Sequence, residues 1–128
     1  MMIAMLWMSI SYAQAPDNDN CAGAIDLGST VGTYTCIQYD VDNATDGAMG
    51  SCAFNQEDVW YKFVAIDDVM VFEYCANQNV WDENLTLYSG TCGSLTEIQC
   101  NSVSAGFGFP VYENLTAGET YYLLIDFN

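Results

Sequence analysis

The sequence contains no histidine and only one basic residue, Lys62, against 17 acidic residues, so its formal net charge is −16. Without histidine, a Ser-His-Asp triad cannot form. The near absence of cations excludes DNA or RNA as a partner, because the chain repels phosphates, and it disfavours anionic membrane surfaces. The acidity leaves three interpretations open: solvation of an external protein, concentration of cations, or complementarity to a basic partner.

Few residues remain that could carry catalysis. Lys62 lies between Tyr61 and Phe63 in an alternating pattern, which is typical of a surface lysine rather than the base of a Ser-Lys pair. A thiol nucleophile needs a nearby cation to stabilise its thiolate, and cations are almost lacking. Paired carboxylates, as in glycoside hydrolases, are the catalytic chemistry that remains. We therefore expect no enzymatic activity and keep a small carboxylate-based hydrolase as the alternative of another class.

The first residues have the pattern of an export signal. The stretch Met1–Tyr12 is mostly apolar but shorter than the roughly 20 residues that span a bilayer. Small residues at Ser11 and Ala13 predict cleavage after Ala13, although the usual basic start of a signal peptide is lacking. We predict a signal peptide at 1–13 and one domain at 14–128, which is secreted or on the cell surface and not inserted in a membrane. The alternative is a buried N-terminal element of the mature domain.

Export gives the six cysteines a structural meaning, because an oxidising compartment allows up to three disulfides. Cys92 and Cys100 flank a short polar stretch, Gly93–Gln99, which we interpret as a loop closed by a local Cys92–Cys100 bridge. Zinc is disfavoured because there is no Cys-x-x-Cys pair and no histidine. The pairing of the other four cysteines stays open: Cys21, Cys36, Cys52 and Cys75.

Alternating apolar residues, separated by Gly, Asn and Asp turns, predict an all-β protein. In Asp58–Ala65, for example, Val59, Tyr61 and Phe63 fall on one face. No segment past residue 20 has a helical period, so the pattern predicts an antiparallel β-sandwich or barrel. The predicted strands are Val31–Tyr39, Asp58–Ala65, Val69–Tyr74, Asn84–Tyr88, Phe107–Tyr112 and Thr120–Asp126.

The sequence stops at Asn128, just after the apolar strand Thr120–Asp126. A sandwich normally pairs such a strand with another, and an unpaired apolar edge strand would be an aggregation hazard. We therefore expect the chain to be truncated at its C-terminus and to be one part of a multidomain protein.

Acidic and amide side chains suggest calcium, which prefers carboxylate and carbonyl oxygens. The candidate ligands are Asp17, Asp19 and Asn20 in one cluster and Asp82, Glu83 and Asn84 in another, with Asp67-Asp68 as a third, although none has EF-hand spacing. The alternative is that they are turn residues that bind their own backbone. Trp81 is the aromatic residue most suited to stack on a ligand, with packing under a loop as its alternative.

An ordered set of short motifs resembles the pre-peptidase C-terminal-like domains of secreted bacterial proteins, especially of the Bacteroidetes type. The motifs lie within residues 16–126: Asn18-Asp-Asn-Cys-Ala22, Asp58-Val-Trp-Tyr-Lys-Phe63, Leu85-Thr-Leu-Tyr-Ser-Gly90, Cys100-Asn101 and Ala117-Gly-Glu-Thr-Tyr-Tyr122. The resemblance implies a jelly-roll-like β-sandwich, and in some members calcium near the N-terminal edge. Those domains usually continue with a further strand after the motif that ends at Tyr122, whereas this sequence ends at Asn128.

The resemblance and the residues together give three hypotheses. The preferred one is a non-catalytic accessory, adhesion or binding module of a larger extracellular protein. The second is a calcium-dependent domain that binds a polysaccharide or an extracellular protein. The third is the small hydrolase.

Overall fold

A computed structural model describes residues 14–30, 35–37, 41–45, 47, 50–52, 57–74, 83–103 and 110–127. The predictions for the signal peptide at 1–13 and for Cys75, Trp81 and Asp82 fall outside these residues. Within them, no helix has the length and apolar character needed to cross a membrane. The elements are a 3₁₀ helix at Cys21–Gly23 and the strands β1 Ile25–Thr30, β2 Thr35–Ile37, β3 Asp58–Ala65, β4 Val69–Tyr74, β5 Glu83–Thr91, β6 Ser94–Val103, β7 Val111–Glu113 and β8 Thr120–Phe127.

The strands form two sheets, which confirms the predicted β-sandwich. The larger sheet has the order β1-β3-β8-β5-β6, and the smaller has the order β2-β4-β7. Neighbouring strands are antiparallel except for β1 beside β3 and β2 beside β4, which are parallel. The last strand, β8, lies between β3 and β5, so its apolar residues are paired on both sides.

The main core lies between the two sheets. Phe63 of β3 is fully buried and meets Phe72 of β4 edge-on, with ring centroids 5.3 Å apart. Phe63 also stacks on Tyr121 of β8 at 5.9 Å. Tyr112 of β7 donates a 2.8 Å hydrogen bond to the carbonyl of Leu85, and burial raises its pKa well above the ordinary value. The aromatic rings therefore link the two sheets through apolar contacts and through the hydrogen bond that the Tyr112 hydroxyl donates.

The outer face of the larger sheet is also covered. Trp60, Tyr88 and Leu124 form a second buried cluster beneath the N-terminal segment, residues 14–24. The main chain of Asn18 pairs with that of Trp60, whose N–H donates to the Asn18 carbonyl at 2.8 Å. Burial, aided by the charge of Glu97, raises the pKa of Tyr88 to about 12. Trp60 and Tyr61 thus point to opposite faces, as predicted, and both are buried because a chain segment covers Trp60.

The predicted Cys92–Cys100 bridge is wrong. Among the described residues, Cys21 pairs with Cys92 and Cys52 pairs with Cys100, with Cα atoms 5.6 and 5.9 Å apart. Gly93–Gln99 is not a loop, because most of it belongs to β6, which turns tightly back from β5 and pairs along it. Cys92 lies at the turn and Cys100 six residues into β6, so the strand rise places them roughly 20 Å apart, beyond the ~7 Å Cα limit of a disulfide.

Candidate functional site

An open cleft lies at one end of the larger sheet, between the β5–β6 hairpin and the turn that leads into β8. We call it the hairpin cleft. Its volume is about 440 Å³. The size falls within the range of small-ligand sites. It is lined by Ser89, Gly90, Thr91, Gly118, Glu119, Thr120 and Tyr121.

Hydrogen bonds fix the β8 side of the hairpin cleft. The N–H of Gly118 donates to the carbonyl of Ala65 at 2.7 Å, and the N–H of Ala65 donates to the carbonyl of Glu119 at 3.0 Å. The hydroxyl of Tyr121 accepts a 2.8 Å hydrogen bond from the N–H of Thr116. Gly118 has φ +88°, a conformation that an L side chain rarely adopts. The turn is therefore tied to β3 and to a buried ring, so the wall of the cleft is preorganised.

The hairpin side of the cleft depends on glycine in the same way. Gly90 has φ +103°, and a Cβ atom there would lie too close to the carbonyl oxygen of Ser94. The close approach lets β5 and β6 pair up to the turn, as Thr91 does with Ser94. Both walls are thus set by backbone geometry, and the side chains between them are left to contact a ligand.

The chemistry of the hairpin cleft suits a polar ligand without negative charge. Thr91, Thr120 and Glu119 are exposed and offer two hydroxyls and one carboxylate. Hydroxyls both donate and accept hydrogen bonds, whereas an ionised carboxylate accepts only. The cleft is lined by no basic side chain that could bind an anion. Its groups match the hydroxyls of a neutral sugar.

A second group of polar side chains lies at the opposite end of the same sheet and is fully enclosed. Asp58 of β3 pairs with Asp126 of β8, and Asp126 pairs with Asn84 of β5. Their exposures are 1%, 2% and 0%. Strand alternation places all three on the outer face with Trp60 and Leu124. We call these three residues the buried row.

The buried row lies under the covering segment, residues 41–52, of which 41–45, 47 and 50–52 are described. The N–H of Gly47 donates to Oδ2 of Asp58 at 3.0 Å. The N–H of Asp58 donates to the Thr45 carbonyl at 3.4 Å. Gly50 approaches Thr86 so closely that a side chain at position 50 would collide with it. The described residues of the segment therefore pack directly on the sheet at the row.

The predicted calcium residues do not converge on one point among the described residues. The carboxylate of Asp19 accepts hydrogen bonds from the N–H and the hydroxyl of Thr45, the latter at 2.9 Å. Asp17 and Asn20 are exposed, and the side chain of Asn20 makes no cap hydrogen bond to the 3₁₀ helix. No group of three acidic or cysteine ligands occurs in this part of the chain. The arrangement assigns Asp19 to a tether between the N-terminal and covering segments, and calcium at these residues stays a prediction.

The residues weighed for catalysis are placed as follows. Lys62 forms a solvent-exposed ion pair with Asp26 at 3.6 Å, an interaction that contributes little to stability. Among the residues lining the hairpin cleft, Glu119 is the one carboxylate, whereas glycoside hydrolysis uses two. The cleft therefore lacks the paired acids that the hydrolase hypothesis needs.

Reasoning from the sequence missed the hairpin cleft, and of the buried row it named only Asn84, as a calcium candidate. The cleft forms between two segments that are distant in sequence and are brought together by the pairing of β5 with β8. Asp58, Asn84 and Asp126 begin or end three of the predicted strands, and a polar residue at a strand end is usually a turn residue. Their positions could have revealed the row, because all three lie at the same end of the sheet once β8 runs antiparallel between β3 and β5.

Comparison with known proteins gives one match. Residues 17–126 match the family model described as galactose binding domain-like and associated with T9SS. No curated protein and no solved structure matches the chain. The match supports the broader part of the expectation, which is a relationship to Bacteroidetes-type secreted proteins. The association with T9SS implies a secreted or cell-surface protein. The chain belongs to the T9SS-associated galactose binding domain-like family.

Proposed function

We propose that the chain is a non-catalytic module of a larger exported protein and that it binds neutral carbohydrate in the hairpin cleft. The observation that carries the proposal is the cleft itself, which presents Thr91, Thr120 and Glu119 between two rigid turns. Sugar hydroxyls need both donors and acceptors, and these three side chains supply both. The family description, galactose binding domain-like, supports a carbohydrate as the first ligand class to test.

The charge of the chain supports the exclusion of anionic glycans. The single basic residue, Lys62, is paired with Asp26 and does not line the cleft. Acidic sugars such as uronates would meet the carboxylate of Glu119 with no cation nearby, which costs binding energy. The proposed ligand is therefore a neutral hexose unit at the end of a chain, with an extracellular protein as the alternative partner. The likeness to pre-peptidase C-terminal-like domains supports the same accessory or adhesive role.

Calorimetric titration of the disulfide-bonded chain with galactose, galacto-oligosaccharides and a matched uronic acid tests the proposal. We expect the neutral sugars to bind and the uronic acid not to bind. Glu119→Gln should weaken binding about tenfold, because a hydrogen bond to a charged acceptor becomes a neutral one. Glu113→Gln is the matched control, since Glu113 is exposed on β7 and does not line the cleft. Equal binding by both variants would contradict the assignment of the cleft.

A further inference from the structure

We propose that the buried row, Asp58, Asp126 and Asn84, binds a calcium ion that joins the covering segment to the sheet. Directly opposed residues on neighbouring strands have Cβ atoms about 4.5–5.5 Å apart. Since Asp126 is opposite both Asp58 and Asn84, the three side chains can reach one point. Asn84 belongs to the second cluster that the sequence suggested for calcium, whereas Asp58 and Asp126 were not among the suggested ligands.

The first step in the argument is charge. Two carboxylates lie side by side with exposures of 1% and 2%, and buried like charges need neutralisation. The only basic residue in the chain is Lys62. It lies four residues along β3 from Asp58 and pairs with Asp26. No basic side chain of this protein therefore lies beside the row, and a bound cation would add positive charge between the two carboxylates.

The second step is Asn84, which provides evidence independent of the acids. Its side chain is 0% exposed, and neither Oδ1 nor Nδ2 has a hydrogen-bond partner. Buried amides are nearly always hydrogen-bonded, so both unsatisfied atoms need an explanation. The side chain lies on the face that carries Asp126, directly opposite it. An amide oxygen beside two carboxylates is a ligand set that calcium uses.

The third step concerns which cation fits. Calcium accepts six to eight oxygen ligands in flexible geometry, whereas magnesium demands a regular octahedron and keeps several waters. The row is enclosed by the covering segment, whose main chain already contacts Asp58 through Gly47 and Thr45. The three side chains of the row are at most 2% exposed, which leaves little room for the waters that magnesium retains. The site therefore favours calcium over magnesium.

The test uses the full disulfide-bonded chain, first freed of metal with a chelator and then titrated with calcium or magnesium. We expect the melting temperature to rise by several degrees and to saturate with calcium, with a smaller response to magnesium, because an ion that binds only the folded state stabilises it. Terbium gives a second readout that does not depend on unfolding. Trp60 lies two residues from Asp58 on the same face and should sensitise terbium emission, which calcium should then quench.

Asp126→Asn and Asp58→Asn should abolish the calcium response and the terbium signal. Each variant removes one of two opposed charges, so the metal-free form should melt at or above the metal-free wild type and remain folded. Asp26→Asn removes an exposed acid of β1 and is the matched control that keeps the response. Asp17→Asn with Asp19→Asn tests the other candidate cluster. The proposal is overturned if the wild type shows no saturable calcium effect, or if Asp126→Asn responds like the control.

Discussion

Polar side chains are exposed to solvent at one end of the larger sheet and buried at the other. At the hairpin cleft, Thr91, Glu119 and Thr120 are exposed, whereas at the buried row Asp58 and Asp126 are at most 2% exposed. The two groups are about 17 Å apart, since Ser89 pairs with Tyr121 and Asn84 pairs with Asp126 five residues away along β5. Exposed groups can exchange water for a ligand, while enclosed groups must be satisfied inside the protein. The comparison agrees with the proposed recognition at the cleft end and the proposed calcium site at the row end.

Each of the two disulfides described above connects a covering chain segment to one of these ends. Cys21–Cys92 connects the N-terminal segment to the hairpin turn beside the cleft, and Cys52–Cys100 connects the covering segment to β6 beside the row. The bridges close 71 and 48 residues of chain. In the chain-entropy model, a disulfide that closes a loop of this size stabilises the folded protein by about 4 kcal/mol.

The largest expected effect comes from removing one bridge at a time. Replacing Cys52 and Cys100 with alanine should lower the free energy of unfolding by about 4 kcal/mol and also abolish the calcium response. Replacing Cys21 and Cys92 should cost a similar amount but leave that response in place. Denaturant unfolding with and without calcium measures both quantities. If the two variants lose the calcium response equally, the division between the ends is wrong.

A smaller effect is expected where the covering segment packs on the sheet. Gly50→Val should cost about 1–3 kcal/mol, because its side chain would collide with Thr86 and lift the segment. Gly47→Ala is the matched control, since a Cβ there would be 4.0 Å from Asp58 and fits in ordinary contact. Thermal melts compare the two. A Gly50→Val variant as stable as Gly47→Ala would show that the segment adapts without cost.

At the cleft end, Tyr121→Phe should cost about 1 kcal/mol, because it removes the hydrogen bond from the N–H of Thr116 and leaves that N–H partly buried. The ring and its contact with Phe63 remain, so the core should be unchanged. Sugar affinity should fall with the loss of the rigid turn, while calcium binding should be unaffected. Loss of calcium binding instead would link the two ends, contrary to the comparison.

The smallest effect is a pH dependence from Tyr88, between the two ends. Its pKa is raised to about 12 from an ordinary value of 10, so the folded state favours the neutral phenol. The associated stability is fully present below about pH 10 and is lost as the pH rises toward 12. Tyr88→Phe should reduce this alkaline loss without abolishing it, because burial also raises the pKa of Tyr112. Equal alkaline sensitivity of variant and wild type would assign the effect to other groups.

The sequence predicted strands best where one face is buried. β3 and β4 were predicted with their observed bounds, Asp58–Ala65 and Val69–Tyr74, because apolar residues alternate along both. β1 and β6 were not predicted. β1 contains Gly28 at a register shift with φ +75°, and β6 is an edge strand whose residues are mostly exposed or half-buried. Neither gives a period-2 pattern.

The candidate site was predicted less well than the fold, for a related reason. A cleft forms from segments that are distant in sequence, here Ser89–Thr91 and 118–121, and their proximity depends on β5 pairing with β8. The predicted disulfide was wrong for the same reason, because Cys92 and Cys100 are close in sequence but separated by most of the length of β6. Of the buried row, the sequence pointed only to Asn84 as a calcium candidate, while Asp58 and Asp126 lay at the ends of predicted strands.

The most direct test is an amide chemical-shift map of the full disulfide-bonded chain during separate titrations with a neutral galacto-oligosaccharide and with calcium. We expect the sugar to shift Ser89, Thr91, Glu119 and Thr120, and calcium to shift Asp58, Asn84 and Asp126, with little overlap. No sugar-induced shifts at the hairpin cleft, or sugar-induced shifts centred on another surface, would contradict the assignment of recognition to that end of the sheet.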